Sequence, residues 1–214
     1  DILAAGIASG NLRFTTDIAE AKGAVVHFVG VGTPQRKDGY AADLTYVDAA
    51  VDALVPWLSP GDIVAGKSTV PVGTAARLAS VVAPTGATLV WNPEFLREGW
   101  AVQDTIDPDR LVVGVPSDDS GSRAADVLRE VYHPAVGPFL VTDYATAELV
   151  KVAANAFLAT KISFINAMAE IAEVTGADVT QLADAIGHDA RIGRRFLGAG
   201  IGFGGGCLPK DIRA

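Results

Sequence analysis

Close to the C-terminal end, a single cysteine lies in the run Gly202-Phe203-Gly204-Gly205-Gly206-Cys207-Leu208-Pro209-Lys210-Asp211. A nucleophilic cysteine needs positive charge to favour its thiolate, and amide donors to hold a developing oxyanion. Glycines at Gly200, Gly202, Gly204, Gly205 and Gly206 allow backbone to approach the sulfur, since a residue without Cβ tolerates positive φ. Lys210 and Asp211 add a cation and a carboxylate within four residues. A lone cysteine is ordinarily an inert, buried small hydrophobe. The flanking charges and a second polar set upstream shift the reading to covalent chemistry at Cys207.

That second set sits at expected strand ends, where open α/β sheets hold their ligands. Val29-Gly30-Val31-Gly32-Thr33-Pro34 runs from a strand into a small-residue turn, and Lys67-Ser68-Thr69-Val70-Pro71-Val72-Gly73-Thr74 leads from a strand end to a helix start. Trp91-Asn92-Pro93-Glu94-Phe95-Leu96-Arg97-Glu98 ends a strand with Glu94 and Glu98 at helical i, i+4 spacing. Each of these segments alone reads equally well as a turn and a helix cap. Further on, Glu148, Lys151 and Asn155 share one helical face between Leu149, Val150, Val152, Ala153, Ala154 and Phe157. Such apolar neighbours point to a cleft at least as readily as to solvent.

The elements that must position these groups follow from periodicity. Ala24 to Val31, Ile63 to Ser68, Thr88 to Trp91, Leu111 to Val115 and Phe139 to Val141 are short apolar runs, as in a parallel sheet covered on both faces. Helical spacing fills Asp43 to Leu58, Thr74 to Val82 and Asp119 to Tyr132, so the alternation predicts a doubly wound, mostly parallel sheet. Asp1 to Ala8 reads as the tail of a helix. From Asp143 to about Thr175 the chain runs without Gly or Pro, with a cap at Thr142 or Asp143 and Gly176 at its end. This predicts a helix of roughly 50 Å, apolar on more than one face and buried against a partner subunit or another domain. A second helix is expected over Asp178 to Ile186. The boundary between a sheet domain, 1–142, and a helical domain, 143–214, falls there.

Composition narrows the functions. The 214 residues are 50% hydrophobic with net charge −8, enough for a sizeable core and unlike a nucleic-acid binder, which clusters Lys and Arg. One cysteine excludes a disulfide framework and points to a reducing, cytoplasmic setting. With no uninterrupted apolar run of span length and no basic-then-apolar leader, neither a membrane partner nor a signal peptide is expected. No metal site is expected. A start without methionine suggests a piece of something longer.

Two motif matches are set aside. Gly61-Asp62-Ile63-Val64-Ala65-Gly66-Lys67-Ser68 has P-loop spacing, yet its strand falls inside the motif and Ser59-Pro60-Gly61-Asp62 is a turn. Gly200-Ile201-Gly202-Phe203-Gly204-Gly205 fits the dinucleotide fingerprint, but no strand precedes it and too little chain follows for its acidic residue.

Taken in order, Thr33-Pro34, Ser68-Thr69-Val70-Pro71-Val72-Gly73, Asn92 to Glu98, Glu148-Leu149-Val150-Lys151 with Asn155, Arg191-Ile192-Gly193 and Gly202 to Asp211 resemble the UDP-glucose/GDP-mannose dehydrogenase family. The resemblance covers almost the whole chain, and Arg191-Ile192-Gly193 with Lys210-Asp211 is most similar to the UDP-glucose 6-dehydrogenase branch. It implies a Rossmann-like NAD-binding sheet, a helical dimerisation segment and NAD-dependent oxidation of a sugar 6-hydroxyl to a carboxylate through a cysteine thioester. It implies Cys207 as nucleophile, Lys151 and Asn155 as oxyanion holders, Thr69 and Asp211 on a relaying water, and Glu94 as base for hydrolysis. Thr33, Thr69, Glu98 and Lys210 would touch NAD. Glu94, Phe95, Leu96, Arg97, Glu98, Lys151, Asn155, Phe196, Leu197, Gly198, Ala199, Gly200 and Gly204 would line the nucleotide-sugar site, with Arg191 reaching across a homodimer formed through the long helix.

Gly206 stands where many relatives have serine. The family's first strand, its glycine loop and its ribose-binding acid are expected before Asp1, and its UDP-binding domain after the last residue. The present chain alone is therefore expected to bind neither ligand well and to carry an exposed sheet edge. Competing readings are a non-catalytic dimerisation core, a GDP-mannose or UDP-N-acetylhexosamine dehydrogenase, and a hydroxyacid or 6-phosphogluconate-type dehydrogenase that needs no cysteine.

Overall fold

Residues 2–213 are described in a computed structural model. After a first helix, α1 (Ile2–Ala8), β1 (Val26–Val29), β2 (Ile63–Gly66) and β3 (Thr88–Trp91) alternate with α2 (Thr45–Leu54) and α3 (Thr74–Val82). A short α4 (Ala101–Ile106) precedes β4 (Leu111–Gly114), then α5 (Asp119–Val131) and β5 (Phe139–Thr142). The five strands lie in the order β1-β2-β3-β4-β5. All four residues of β2 are buried, as the apolar runs required, and α2 and α3 cover one face through Val47, Val51, Leu54, Leu78 and Val82. The other face packs Ile63, Ala65, Val90 and Val113 against Ala124 and Leu128 of α5.

The sheet departs from the expected direction at one joint. β1, β2 and β3 are parallel, and so are β4 and β5, but β3 meets β4 antiparallel through the single pair Trp91–Gly114. A parallel return needs a crossover of a dozen or more residues, usually a helix. The six-residue α4, about 9 Å long, does not carry the chain back across the sheet. Pairing through the last residue of each strand staggers β4 and β5 toward the C-terminal ends of the first three.

This stagger sets where the long helix starts. α6 (Tyr144–Thr175) has 32 residues, with Asp143 accepting from the Thr146 N–H at its start and Gly176 left-handed (φ 76°) at its end. At Gly114 a Cβ would lie 2.7 Å from the Ala147 Cβ, so glycine is what lets α6 cross β4 this closely. The Tyr144 hydroxyl, its pKa pushed up to about 12 by burial, donates to the Leu89 carbonyl at 2.6 Å. α7 (Val179–Gly187) and α8 (Leu208–Arg213) complete the chain, α7 forming a small core from Ala183 with Ile165 and Leu197.

Two expectations change. Residues 92–98 are not helical, so Glu94 and Glu98 do not stack at i, i+4. Pro93 removes an N–H, and the Glu94 carboxylate binds the neighbouring amides of Phe95 and Leu96 instead of letting a helix take them. Second, α6 is long and apolar enough to cross a membrane by length and composition, with mean hydropathy 1.3, although no uninterrupted apolar run announces it. Its contacts are with the sheet, α3, α7 and α8. Much of its length is exposed: Leu149, Phe157, Phe164, Ile171 and Val174 all face outward.

Candidate active site

The site is assembled at the C-terminal ends of β1 to β3, beside the first turns of α6. After β2 the chain makes the 67–73 turn and enters α3 through Gly73, whose φ of 100° only glycine adopts without strain. The turn is held from across the molecule by Glu148. This carboxylate is 1% exposed and accepts from the Gly73 and Ala75 N–H groups at 2.8 and 2.6 Å. Burial raises its pKa, while the amides of Ala75 and Gly73 act against that rise. A carboxylate at a helix N-terminus satisfies orphan amides and complements the helix dipole. The polar face read from the sequence therefore divides: Glu148 clamps the turn, and Lys151 and Asn155 are left to the cleft.

Thr33, buried in the loop that follows β1, donates from Oγ1 to the Thr69 carbonyl at 2.8 Å and accepts from Lys210 Nζ at 3.3 Å. Lys210 Nζ also pairs with Asp211 Oδ1 at 2.8 Å. Asp211, 2% exposed, accepts from Asn155 Nδ2 at 2.6 Å. This chain of contacts joins β1, the 67–73 turn, α6 and α8. The Cys207 thiol is exposed one residue before α8, and its carbonyl accepts from the Asp211 N–H at 2.9 Å.

Lys151 lies between these groups and the 92–98 loop. Burial pulls its ammonium below the ordinary lysine range; the charges of Asp211, Glu94 and Cys207 oppose that pull, and Arg110 adds to it. Its Nζ is 5.3 Å from the centre of the Phe95 ring, and the Arg110 guanidinium is 4.1 Å from the same ring. The Phe95 ring thus has two cations within reach of its π-system, an attractive arrangement. Beneath the loop is a cavity of about 180 Å³, lined among others by Lys67, Glu94, Phe95, Arg97, Asp104 and Tyr132.

Cys207, Lys151, Asn155, Asp211, Glu94, Thr33, Thr69 and Lys210 therefore converge. Glu98 is exposed on the loop, and Leu96 is partly exposed beside it. Arg97 forms a multidentate ion pair with Asp104, through its Nε at 3.1 and 3.0 Å and a shorter Nη2 contact. Asp104 correspondingly sits below the usual carboxylate range, chiefly through that hydrogen bond. Farther along α6 stands the 190–200 segment. Arg191 pairs with Asp189, and Lys161 Nζ donates to the Ile192 and Gly193 carbonyls at 2.9 and 3.1 Å. Phe196 takes a left-handed φ of 65°, Leu197 is buried, and the Gly200 N–H donates to Asn166 Oδ1 at 3.0 Å. Gly198, Ala199 and Gly204 are exposed in the same loop region.

Residues 1–136 match the NAD-binding domain of the UDP-glucose/GDP-mannose dehydrogenase family, and residues 145–214 match its central domain. The chain belongs to this family. The UDP-glucose 6-dehydrogenase TuaD of Bacillus subtilis is 46% identical over 220 residues, covering all of this chain and 47% of that protein. The UDP-glucose 6-dehydrogenase of Rhizobium meliloti is 47% identical, covering all of this chain and 50% of its own length. A UDP-glucose dehydrogenase from Pyrobaculum islandicum superposes with a TM-score of 0.89 at 42% identity, over 99% of this chain and 50% of that one. A GDP-mannose dehydrogenase from Pseudomonas aeruginosa superposes at 0.81 with 30% identity, over 99% of this chain and 50% of its own. The chain spans about half the length of the curated relatives it matches.

The family match accounts for the Rossmann-like sheet, but several groups escaped the sequence reading. Asn92 stands out only as part of its motif, and its contact with Lys67, like that of Tyr132, carries no local signal, because 25 and 65 residues separate these partners from Lys67. Lys161 and Asn166 do not stand out in the sequence, because their partners at 192, 193 and 200 lie 31 to 34 residues away. Lys67 stands in the sequence at the head of the 67–74 strand-end segment and inside the rejected P-loop match, but neither gives it a partner; the observed β2, lying within that motif, agrees with the rejection.

Proposed function

We propose that this chain is the cofactor-binding and nucleophile-bearing part of an NAD-dependent UDP-glucose 6-dehydrogenase. The observation that carries the reading is the 2.6 Å contact of Asn155 with Asp211, which ties the helix following Cys207 to the face of α6 that bears Lys151. The division into a sheet domain, 1–142, and a helical domain, 143–214, belongs to the same proposal. So do a cytoplasmic setting and a homodimer built on the exposed apolar face of α6.

The residues fit NAD at one end of the sheet. Neither Gly30 nor Gly32 has an atom within 4 Å of where a Cβ would stand, so the strand end is open to a ligand beside Thr33 and Lys210. Two NAD molecules, bound in turn, would each accept one of the two hydrides that oxidation of a primary alcohol to an acid releases. Asp211 and Thr69 hold a water that takes the alcohol proton. The Cys207 thiolate adds to the resulting aldehyde, forming a C–S bond and an alkoxide that Lys151 and Asn155 stabilise by charge and hydrogen bond. Loss of the second hydride leaves a thioester on Cys207. Glu94 takes a proton from water as its oxygen attacks the thioester carbon; the C–S bond breaks, and thiolate and carboxylic acid separate.

The test is NADH production by the full-length protein with UDP-glucose, GDP-mannose and UDP-N-acetylmannosamine. Two NADH per UDP-glucose is the expected result. Turnover of another sugar nucleotide in preference reassigns the substrate, and turnover of none overturns the reading.

A further inference from the structure

The lysine of the discarded P-loop match sits behind the proposed base. Lys67 follows β2, and its ammonium, with three donors, reaches Glu94 Oε2 at 3.2 Å, Asn92 Oδ1 at 3.1 Å and the Tyr132 hydroxyl at 3.3 Å. These partners are themselves fixed. Asn92 is buried and donates from Nδ2 to the Val112 carbonyl at 2.8 Å, and the Tyr132 hydroxyl donates to Asn92 Oδ1 at 2.6 Å. The ammonium is thus a tripod whose legs reach the end of β3 at Asn92, the end of α5 at Tyr132 and the 92–98 loop at Glu94.

Glu94 shows what the tripod holds. A carboxylate has about four lone-pair positions. Two on Oε1 accept from the Phe95 and Leu96 N–H groups at 2.6 and 2.8 Å, and one on Oε2 accepts from Lys67. The fourth, on Oε2, is left for a water, and the Glu94 side chain is 39% exposed.

Building on the proposed thioester chemistry, we propose that Lys67, backed by Asn92 and Tyr132, is a positioning residue for Glu94. It fixes Oε2 so that its open lone pair meets the water that hydrolyses the Cys207 thioester. Lys67 touches no reacting atom in this scheme, so its loss slows hydrolysis and spares the steps before it. A misplacement on the order of 1 Å in such a base costs roughly 10²-fold.

The test uses the full-length protein with UDP-glucose and NAD, reading first-turnover NADH, steady-state NADH and the mass of the Cys207 peptide after acid quench. For Lys67→Met we expect steady-state turnover to fall roughly 10²-fold, first-turnover NADH to change by less than about threefold, and an acyl adduct to accumulate on Cys207. Lys67→Arg, which keeps the charge, restores hydrolysis in part, and Tyr132→Phe, which removes only one leg, gives a smaller adduct signal. Equal slowing of both phases without adduct, or an unchanged steady state in Lys67→Met, overturns the role of Lys67 while the dehydrogenase reading stands. A wild-type protein that makes no NADH from UDP-glucose overturns that reading and this inference with it.

Discussion

The sheet region and the helical region divide the work unequally. The sheet buries two apolar clusters around β2 and β3, with Val64, Ala65, Val90 and Trp91 nearly sealed from solvent. Beyond residue 143 the buried apolar cluster shrinks to Ile165, Ala183 and Leu197. Yet Cys207, Lys151, Asn155 and Asp211 all lie in that second region. Core packing is concentrated in the sheet region, whereas the proposed site draws on both regions, and the helical part leaves Phe157, Phe164 and Ile171 facing outward.

The largest effect that separates the two regions is at the sulfur. Cys207→Ser in the full-length protein lowers acid formation by roughly 10³-fold or more, and leaves the thermal midpoint unchanged because the thiol is exposed. NADH assays beside calorimetry check both halves of that statement. A full-rate variant would end the thioester scheme.

Lys151→Met sets activity against stability in one side chain. Turnover falls roughly 10²-fold, while the folded state gains, because a half-buried ammonium whose pKa is lowered opposes folding. The sign follows from proton binding. Between its lowered folded value and the ordinary 10.5, the unfolded chain holds more protons at this site than the folded one. Wild-type stability therefore rises with pH across that window relative to the variant. Denaturant midpoints of both proteins from neutral to alkaline pH measure the converging difference.

Gly66→Ala breaks the sheet side. A Cβ there would stand 2.2 Å from the Trp91 ring, which has little room to move. Overpacking of this kind costs about 1–3 kcal/mol, read as a lower midpoint in urea. The smallest effect on folding is expected from Phe157→Asp on the outward face of α6, within about 0.5 kcal/mol. Sedimentation should nevertheless shift from dimer to monomer. An unchanged dimer would move the association surface off this face.

The strands and longer helices were legible because their signals are local. β3, α3 and the caps of α6 at Asp143 and Gly176 lie where apolar period, Asp and Gly place them. The direction of β4 was not legible, since a buried apolar run reads the same both ways. The conformation of 92–98 also escaped, because carboxylate spacing alone does not reveal that Glu94 turns onto its own loop. Cys207, Lys151, Asn155 and Asp211 were picked out by residue type and by family resemblance, whereas the Glu148 clamp and the Lys67 tripod depend on partners 25 to 75 residues away.

Along α6, Glu148, Asn155 and Asn166 fall within about 20° of one line, at 100° per residue. They bind three separate segments: the α3 turn, Asp211 and Gly200. The helix is therefore a ruler roughly 27 Å long between its first and last marks. Loops around it can change length, but one residue inserted between two marks swings every later mark by about 100° and breaks the alignment. Spacing along α6 is as much a part of the site as the identity of any residue on it.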